Sequence, residues 1–95
     1  WTCSPPPLLA SSSLALQVVY TESPANPTCR LTDLEAVSRI CDEHAAAGNA
    51  RPIVMRDSTF ATPFHQRCLE IPGLDVAIHS ATKYLGGHSD IVAGA

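Results

Sequence analysis

The sequence predicts an α/β fold in which helices flank a mostly parallel sheet. Three short apolar runs, rich in Val, Ile and Leu, have the length and composition of buried strands. Segments with helix-capping residues or helical spacing lie between these runs. Because strands that alternate with helices form a parallel sheet, ligands are expected to bind beyond the carboxyl ends of the strands.

The first predicted strand lies within residues 14–20, where apolar side chains follow one another almost without interruption. Such a run suits a strand that is covered on both faces. A loop over residues 22–27, which contains two prolines, ends the strand. Residues 1–13 are rich in Pro and Ser, so we expect an irregular tail there, followed by a domain over residues 14–95.

A helix is predicted over residues 32–47. Thr32 and Glu35 have the spacing of a capping box, which satisfies the free backbone donors at a helix start. Gly48, just beyond the predicted end, is typical of a helix stop. Apolar residues recur between these signals at helical spacing, at Leu34, Val37, Ile40 and Cys41.

The second predicted strand begins at Pro52 and ends at Asp57. Thr62 and Pro63 then have the residue types of an N-cap and a first helical position, so we expect a short helix that reaches Leu69. Proline and glycine at positions 72 and 73 break this helix.

The third predicted strand is the Val-Ala-Ile run at residues 76–78. Asn26, Asp57 and Lys83 each follow one of the three strands. The carboxyl ends of parallel strands meet at one edge of a sheet, so we expect these three residues to lie at the same edge, with Val18, Val54 and Ile78 buried in neighbouring strands.

Lys83 is the only lysine in the chain. Its amine can condense with an aldehyde to form a Schiff base, which the arginine guanidinium does not do. The hydroxyls of Ser80 and Thr82, with the glycine pair at residues 86–87, are groups that an anionic cofactor would need beside that amine. Pyridoxal phosphate is therefore the candidate cofactor.

Composition excludes several other classes of partner. The net charge is −3 and basic residues do not cluster, so we expect no nucleic-acid partner. The apolar run over residues 14–20 is too short to cross a bilayer and no positive charges precede it, so we expect no membrane attachment and a cytoplasmic location.

Four cysteines leave two interpretations open. They could form two disulfides, or bind zinc together with His44 or His65. No CxxC pair is present, so the interpretation favoured here is structural or incidental cysteines and no metal site. The four residues are Cys3, Cys29, Cys41 and Cys68.

Three segments together resemble the pyridoxal-phosphate-dependent enzymes of cysteine and methionine metabolism: ESPANPT at residues 22–28, DSTFATP at 57–63 and HSATKYLGGHSD at 79–90. The resemblance implies the large domain of the aspartate-aminotransferase-like fold, known as fold type I. It also implies a carbon–sulfur lyase or transferase of transsulfuration that acts on a sulfur-containing amino acid and assembles as a homo-oligomer, a dimer or a tetramer.

The same resemblance implies a role for each candidate residue. Lys83 would bind the cofactor covalently and later move protons, and Asp57 would pair with the pyridine nitrogen. Ser80 and Thr82 would bind the phosphate, and Asn26 would lie near the phenolic oxygen. Ordinary structural interpretations remain beside these roles: a solvated lysine, a helix-capping aspartate, and turn-forming hydroxyl and amide side chains.

Arg56 departs from the family pattern, which usually has an apolar residue before the aspartate. A guanidinium there could compete with the pyridine nitrogen for the Asp57 carboxylate. The chain also lacks an initiating Met and ends in an apolar stretch, residues 91–95, which resembles a strand that is cut short. We therefore expect a fragment that is inactive alone, or else a non-catalytic remnant that only binds cofactor or partner subunits.

Overall fold

The structure is a computed structural model that describes residues 15–95. The predicted tail over residues 1–13 lies outside the described residues, so the proposed division at residue 13 stays a prediction. Three strands form one parallel sheet in the order β1-β2-β3, which confirms the α/β prediction. The strands are β1 (Val18–Glu22), β2 (Ile53–Asp57) and β3 (Val76–Ile78).

The register of the sheet brings the three carboxyl ends together. Val18 of β1 lies beside Ile53 of β2, so the two strands end side by side at Glu22 and Asp57. Asp57 in turn lies beside Ile78, the last residue of β3. The loops that carry the candidate site residues therefore leave the sheet at the same edge, as the sequence predicted.

Helix α1 (Leu34–Ala46) confirms the predicted helix but begins differently. Asp33 is the N-cap, because its Oδ1 accepts a hydrogen bond from the Ala36 amide at 2.9 Å. The predicted capping box at Thr32 is wrong, since the Thr32 amide lies outside the helix and donates to Ser23 Oγ at 3.0 Å. The predicted stop is confirmed, because Gly48 follows the C-cap with a φ of +91°.

One face of the sheet packs against α1 and forms the core. The buried core residues are Cys41, Val54, Cys68 and Leu74. Because side chains alternate along a strand, Val18, Tyr20 and Ile53 lie on the opposite face, where they are 44%, 57% and 49% exposed. The prediction that Val18 is buried is therefore wrong, whereas Val54 is fully buried.

Two further apolar residues lie outside the buried core. Ile78 is predicted to be buried but is only half-buried at the end of β3. Ile40 has a helical spacing that matches the core positions, yet it is 61% exposed, because α1 buries only Leu34, Ser38 and Cys41. The predicted helical spacing is thus confirmed, but the buried face of α1 is narrower than the face that carries its apolar residues.

The predicted helix from Thr62 to Leu69 is divided in two. Helix α2 (Thr62–His65) ends at Gln66, which has an extended backbone, and a single 3₁₀ turn (Cys68–Glu70) follows. The break lets Cys68 enter the core, where it is 4% exposed. The N-cap position is occupied by Ala61 rather than by the predicted Thr62.

Arg51 links α1, β2 and the segment before β3. Its Nε contacts Asp42 Oδ1 at 2.7 Å, its Nη1 contacts Asp75 Oδ2 at 2.9 Å, and its Nη2 donates to the Gly73 carbonyl at 2.6 Å. Asp75 Oδ2 also accepts from the Val54 amide at 2.8 Å. The Val54 hydrogen bond and then Arg51 lower the pKa of Asp75.

Within residues 15–95, no helix is long and apolar enough to cross a membrane. The described part of the chain also has no group of three or more His, Cys, Asp or Glu side chains placed to hold a metal ion.

Candidate active site

Asp57 is the last residue of β2 and lies at the carboxyl edge of the sheet. Its Oδ1 accepts a hydrogen bond from the Thr59 amide at 2.9 Å, and its Oδ2 accepts one from the Tyr20 hydroxyl at 3.3 Å. Burial alone would raise the pKa of Asp57, but the hydrogen bonds from Thr59 and Tyr20, with the charge of His79, outweigh it and lower the pKa. The carboxylate is therefore ionised at neutral pH and can hold a cationic group.

The pKa of Tyr20 shifts in the opposite direction to that of Asp57. Burial, followed by the charge and hydrogen bond of Asp57 and then the charge of Glu22, raises the pKa of Tyr20. Its hydroxyl thus stays protonated and donates to Asp57. Sequence reasoning missed this residue, although Tyr20 and Asp57 both fall on the sheet face opposite α1 once the register is known.

Arg56 does not compete for Asp57. Adjacent residues of a strand point to opposite faces, so the Arg56 side chain lies on the α1 side of the sheet, where it is 1% exposed. Its Nη2 donates to the Ser23 carbonyl. The competition that the sequence suggested is therefore wrong, since the two side chains lie on different faces.

Thr59 connects the ends of β2 and β3. Its amide binds Asp57, as described above, and its Oγ1 accepts a hydrogen bond from the Ser80 amide at 2.8 Å. Sequence reasoning also missed Thr59. A signal was present, because an aspartate commonly accepts a hydrogen bond from the amide two residues later.

Asn26 lies in the loop after β1, at the same edge. Its amide donates to Glu22 Oε1 at 3.2 Å, and Glu22 is the register neighbour of Asp57. The exposed Asn26 side chain makes no hydrogen bond with the described residues. The structure thus brings Asn26, Asp57 and Ser80 to one edge through Glu22 and Thr59.

Lys83 lies in a helical turn (Ala81–Leu85) that follows β3. Its own backbone is not helical, with φ −87° and ψ −117°, and its exposed side chain makes no ion pair within residues 15–95. Lys83 lines a cavity of 470 Å³ together with Phe60 and Tyr84, whose rings meet edge to face at 6.3 Å. Asp57 does not line this cavity, and its carboxylate accepts hydrogen bonds from Thr59 and Tyr20 rather than from Lys83.

The two hydroxyls predicted to bind phosphate differ in their surroundings. Ser80 Oγ makes no hydrogen bond with the described residues. Thr82 Oγ1 donates to the Ala93 carbonyl at 3.3 Å and accepts from the Ala93 amide at 3.0 Å. Ser80 is therefore available to an anion, whereas a phosphate contact by Thr82 would require it to release Ala93.

The segment over residues 91–95, predicted as a strand, runs antiparallel to the start of the Lys83 turn. Ala95 and His79 exchange two backbone hydrogen bonds of 2.7 and 3.0 Å, and Ser80 forms a single bridge with Gly94. This pairing is too short to make a strand, so the prediction is wrong in that respect. The segment nevertheless holds the loop that carries the lysine.

Comparison with known proteins now identifies the fold and its cofactor class. The family model described as Cys/Met metabolism PLP-dependent enzyme matches residues 8–95. The chain belongs to this family. Pyridoxal phosphate is the cofactor of the Cys/Met metabolism enzymes, whose members are carbon–sulfur lyases and transferases.

Individual relatives agree with the family model. An L-methionine gamma-lyase from Fusobacterium nucleatum subsp. nucleatum is 50% identical over 78 residues, which cover 82% of this chain and 18% of the relative. The chloroplastic cystathionine gamma-synthase 1 from Nicotiana tabacum is 45% identical over 86 residues, 90% of this chain and 15% of the relative.

A solved structure gives the same fold. The apo crystal structure of a methionine gamma lyase from Micromonospora echinospora superimposes with a TM-score of 0.71 and 36% sequence identity, covering 82% of this chain and 20% of that one. The predicted fold type I architecture is therefore confirmed. The chain spans between 15% and 20% of the length of these three proteins.

Several observed features fit the cofactor of the Cys/Met metabolism family. Asp57 is ionised and retains free lone pairs, which suits a protonated pyridine nitrogen. Ser80 has a free hydroxyl for a phosphate oxygen, and Lys83 faces a cavity lined by aromatic rings. Of these groups, only the Thr82 hydroxyl does not fit a phosphate contact, because it is hydrogen-bonded to Ala93.

Proposed function

We propose that the protein is a carbon–sulfur lyase or transferase that acts on a sulfur-containing amino acid, by elimination or by replacement. The observation that carries this proposal is the Asp57 carboxylate, which is held ionised at the carboxyl edge of the sheet by Thr59 and Tyr20. Ligand sites of open parallel sheets lie at this edge.

When bound, pyridoxal phosphate supplies an aldehyde for amines and an electron-withdrawing pyridine ring. Asp57 would accept a hydrogen bond from the protonated ring nitrogen and would favour the proton on that atom. Ser80 would donate its hydroxyl to the phosphate, and Asn26 would lie near the phenolic oxygen. Thr82 would add a second hydroxyl to the phosphate only if its hydrogen bonds with Ala93 were broken.

Lys83 would hold the cofactor through its Nζ, and the same amine would serve as the group that takes a proton from the Cα of the amino acid. Its exposed position beside the cavity leaves room for this exchange. The rings of Phe60 and Tyr84 form part of the lining of this cavity.

Three further features belong to the proposal. We expect a homo-oligomer in the cytoplasm and no activity from these 95 residues alone, because relatives use several times more chain. A second candidate function is a non-catalytic remnant that only binds cofactor or partner subunits. This alternative is favoured by the Thr82 hydroxyl, which is engaged with Ala93 rather than free for phosphate.

Borohydride reduction tests the role of Lys83. Reduction of the full-length protein with pyridoxal phosphate leaves a pyridoxyl group fixed to the amine that held it. Peptide mapping should find the group on Lys83, and Lys83→Arg should remove it while the unfolding curve stays unchanged. A label on the N-terminal amine, or cofactor binding that is unaltered in Lys83→Arg, would contradict the assignment.

Turnover of a sulfur amino acid separates the two candidate functions. Asp57→Asn should retain the pyridoxyl label but lower turnover by about 10²-fold or more, because an uncharged amide does not hold the ring proton. Glu43→Gln, which removes an exposed carboxylate on α1, is the control and should change turnover little. If the label forms on Lys83 but wild-type protein shows no turnover, the remnant function is correct.

A further inference from the structure

The backbone pairing of β2 with β3 stops just before the loops that carry the candidate site residues. A hydrogen bond of 2.8 Å from the Ser58 amide to the Ile78 carbonyl continues the pairing one residue past β2. Further pairing would join the His79 amide to the Ser58 carbonyl. Instead, the Ser58 carbonyl accepts from the Thr62 amide at 2.9 Å, and the His79 amide donates to the Ala95 carbonyl at 2.7 Å. The two chain segments therefore separate at this point.

The Thr59 side chain joins the two segments where the backbone pairing has stopped. Its Oγ1 accepts a hydrogen bond from the Ser80 amide at 2.8 Å, and its own amide donates to Asp57 Oδ1 at 2.9 Å. Both hydrogen bonds are partly buried, so water competes for them less than it would at the surface. Thr59 thus contacts both the carboxylate proposed for the pyridine nitrogen and the residue proposed for the phosphate.

Ser80 is linked in turn to the backbone of Lys83. It is the N-cap residue of the helical turn (Ala81–Leu85), and its carbonyl accepts from the Lys83 amide at 3.1 Å. Hydrogen bonds through Thr59 and Ser80 therefore connect the Asp57 carboxylate with the turn that carries the lysine. The position of that turn relative to the carboxylate depends on the Thr59 hydroxyl.

We propose that Thr59 is a positioning residue, whose hydroxyl holds Ser80 at the distance from Asp57 that lets one molecule of pyridoxal phosphate bind both residues. This inference rests on the function proposed above. The ring nitrogen and the phosphate belong to one molecule, so the two residues bind it together only within a narrow range of spacings. Thr59 acts through Ser80, and its role requires no contact of its own with the cofactor.

Thr21 supplies the matched control for this inference. Its Oγ1 donates to the Met55 carbonyl at 3.4 Å, between β1 and β2, and this hydrogen bond is also partly buried. Thr21→Val therefore removes a comparable hydroxyl from the same sheet but leaves the link between Thr59 and Ser80 intact. If cofactor affinity fell only because the sheet was weakened, both valine variants would show the loss.

The first test compares the affinities of full-length variants for pyridoxal phosphate and for pyridoxal, which lacks the phosphate. Thr59→Val keeps the shape and the backbone amide of threonine but removes the hydroxyl. Its affinity for pyridoxal phosphate should fall about fivefold to tenfold, the effect of one lost hydrogen bond, and its affinity for pyridoxal should fall less. Thr59→Ser, which keeps the hydroxyl, and Thr21→Val should both bind pyridoxal phosphate as the wild-type protein does.

A double-variant cycle separates positioning from a general loss of stability. Ser80→Ala removes the hydroxyl proposed to bind phosphate but keeps the backbone amide that donates to Thr59. In this background Thr59→Val should lower the affinity for pyridoxal phosphate by about twofold or less, because there is no longer a hydroxyl to position. Equal losses in the wild-type and Ser80→Ala backgrounds would overturn the positioning role. Unfolding curves check each variant, and Thr59→Ala replaces Thr59→Val if the latter does not fold.

Amide hydrogen exchange tests the hydrogen bond without cofactor. In the cofactor-free full-length protein, the Ser80 amide should exchange about fivefold to tenfold faster in Thr59→Val than in wild type, and Thr59→Ser should restore the slow rate. Unchanged Ser80 exchange and unchanged cofactor affinity in Thr59→Val, while Lys83 still takes the pyridoxyl label, would overturn this inference and leave the proposed function standing. A wild-type protein that binds no pyridoxal phosphate would overturn both, even if the Ser80 amide exchanged faster in Thr59→Val.

Discussion

Gly73 should be the glycine whose replacement destabilises the described fold most, and Gly73→Ala tests the packing around Arg51. The φ of Gly73 is +78°, a conformation that costs a residue with a Cβ about 1–2 kcal/mol. The added Cβ would also overlap Ser38 Oγ and would lie 2.8 Å from Arg51 Nη2. Overpacking of this kind costs about 1–3 kcal/mol, so the expected loss in unfolding free energy is about 2–5 kcal/mol.

Gly48→Ala is the matched control. The φ of Gly48 is +91°, but a Cβ at this position meets no atom within 4 Å, so only the backbone cost of about 1–2 kcal/mol remains. Both substitutions reduce the entropy of the unfolded chain equally, so this effect cancels in their difference. Urea unfolding of the full-length protein should therefore give a larger loss for Gly73→Ala, by about 1–3 kcal/mol.

A second variant locates the steric contact. Ser38→Ala in the Gly73→Ala background removes the overlapping Oγ and should restore part of the loss, although Ser38 Cβ would still lie 3.0 Å from the new Cβ. Equal losses for the two glycine variants would refute the reasoning. So would a double variant that is no more stable than Gly73→Ala.

Two further predictions concern the helix start and acid stability. Asp33→Ala should lower the unfolding free energy by about 1 kcal/mol, and Thr32→Ala should lower it by clearly less, because the N-cap is Asp33. Equal losses for the two variants in urea unfolding would show that Thr32 also caps the helix. Asp75 has a lowered pKa, so its contribution to stability is present above its unfolded pKa of about 3.9 and is lost as the pH falls through the lower folded pKa. In Asp75→Asn the unfolding free energy should therefore fall less as the pH drops below about 4. The difference from wild type should be at most about 1 kcal/mol, because the pair with Arg51 is partly exposed. A decline in Asp75→Asn that equals the decline of the wild-type protein would contradict the assignment.

The architecture was predictable because it depends on patterns that are local in sequence. The Val-Ala-Ile run at residues 76–78 became β3 with the predicted bounds, and the helical spacing of Leu34 and Cys41 became α1. Parallel pairing followed from the alternation of the elements. These signals are repeated over many residues, so single errors such as the capping position did not alter the fold.

Burial was less predictable because it depends on what packs against each face. The run over residues 14–20 suggested a strand covered on both sides, yet Val18 is 44% exposed. A continuous apolar run does not indicate which faces of a strand are covered by other elements. Likewise, the helix ends at Gln66, and this break allows Cys68 to pack in the core. The sequence does not indicate this packing, because it depends on the position of the sheet.

The candidate site shows where sequence proximity and spatial proximity differ. Arg56 and Asp57 are adjacent in sequence but lie on opposite faces, so the arginine donates to the Ser23 carbonyl and leaves the carboxylate to Tyr20 and Thr59. Lys83 follows β3 by five residues that wind into a helical turn, so its distance from Asp57 depends on that turn and not on the strand register. The alternation of side chains along β2 therefore separates Arg56 from Asp57, and the helical turn after β3 separates Lys83 from Asp57. If the proposed roles are correct, contact between Lys83 and a ring held by Asp57 would depend on the geometry of the turn (Ala81–Leu85), which the hydrogen bonds of Thr82 with Ala93 hold in place.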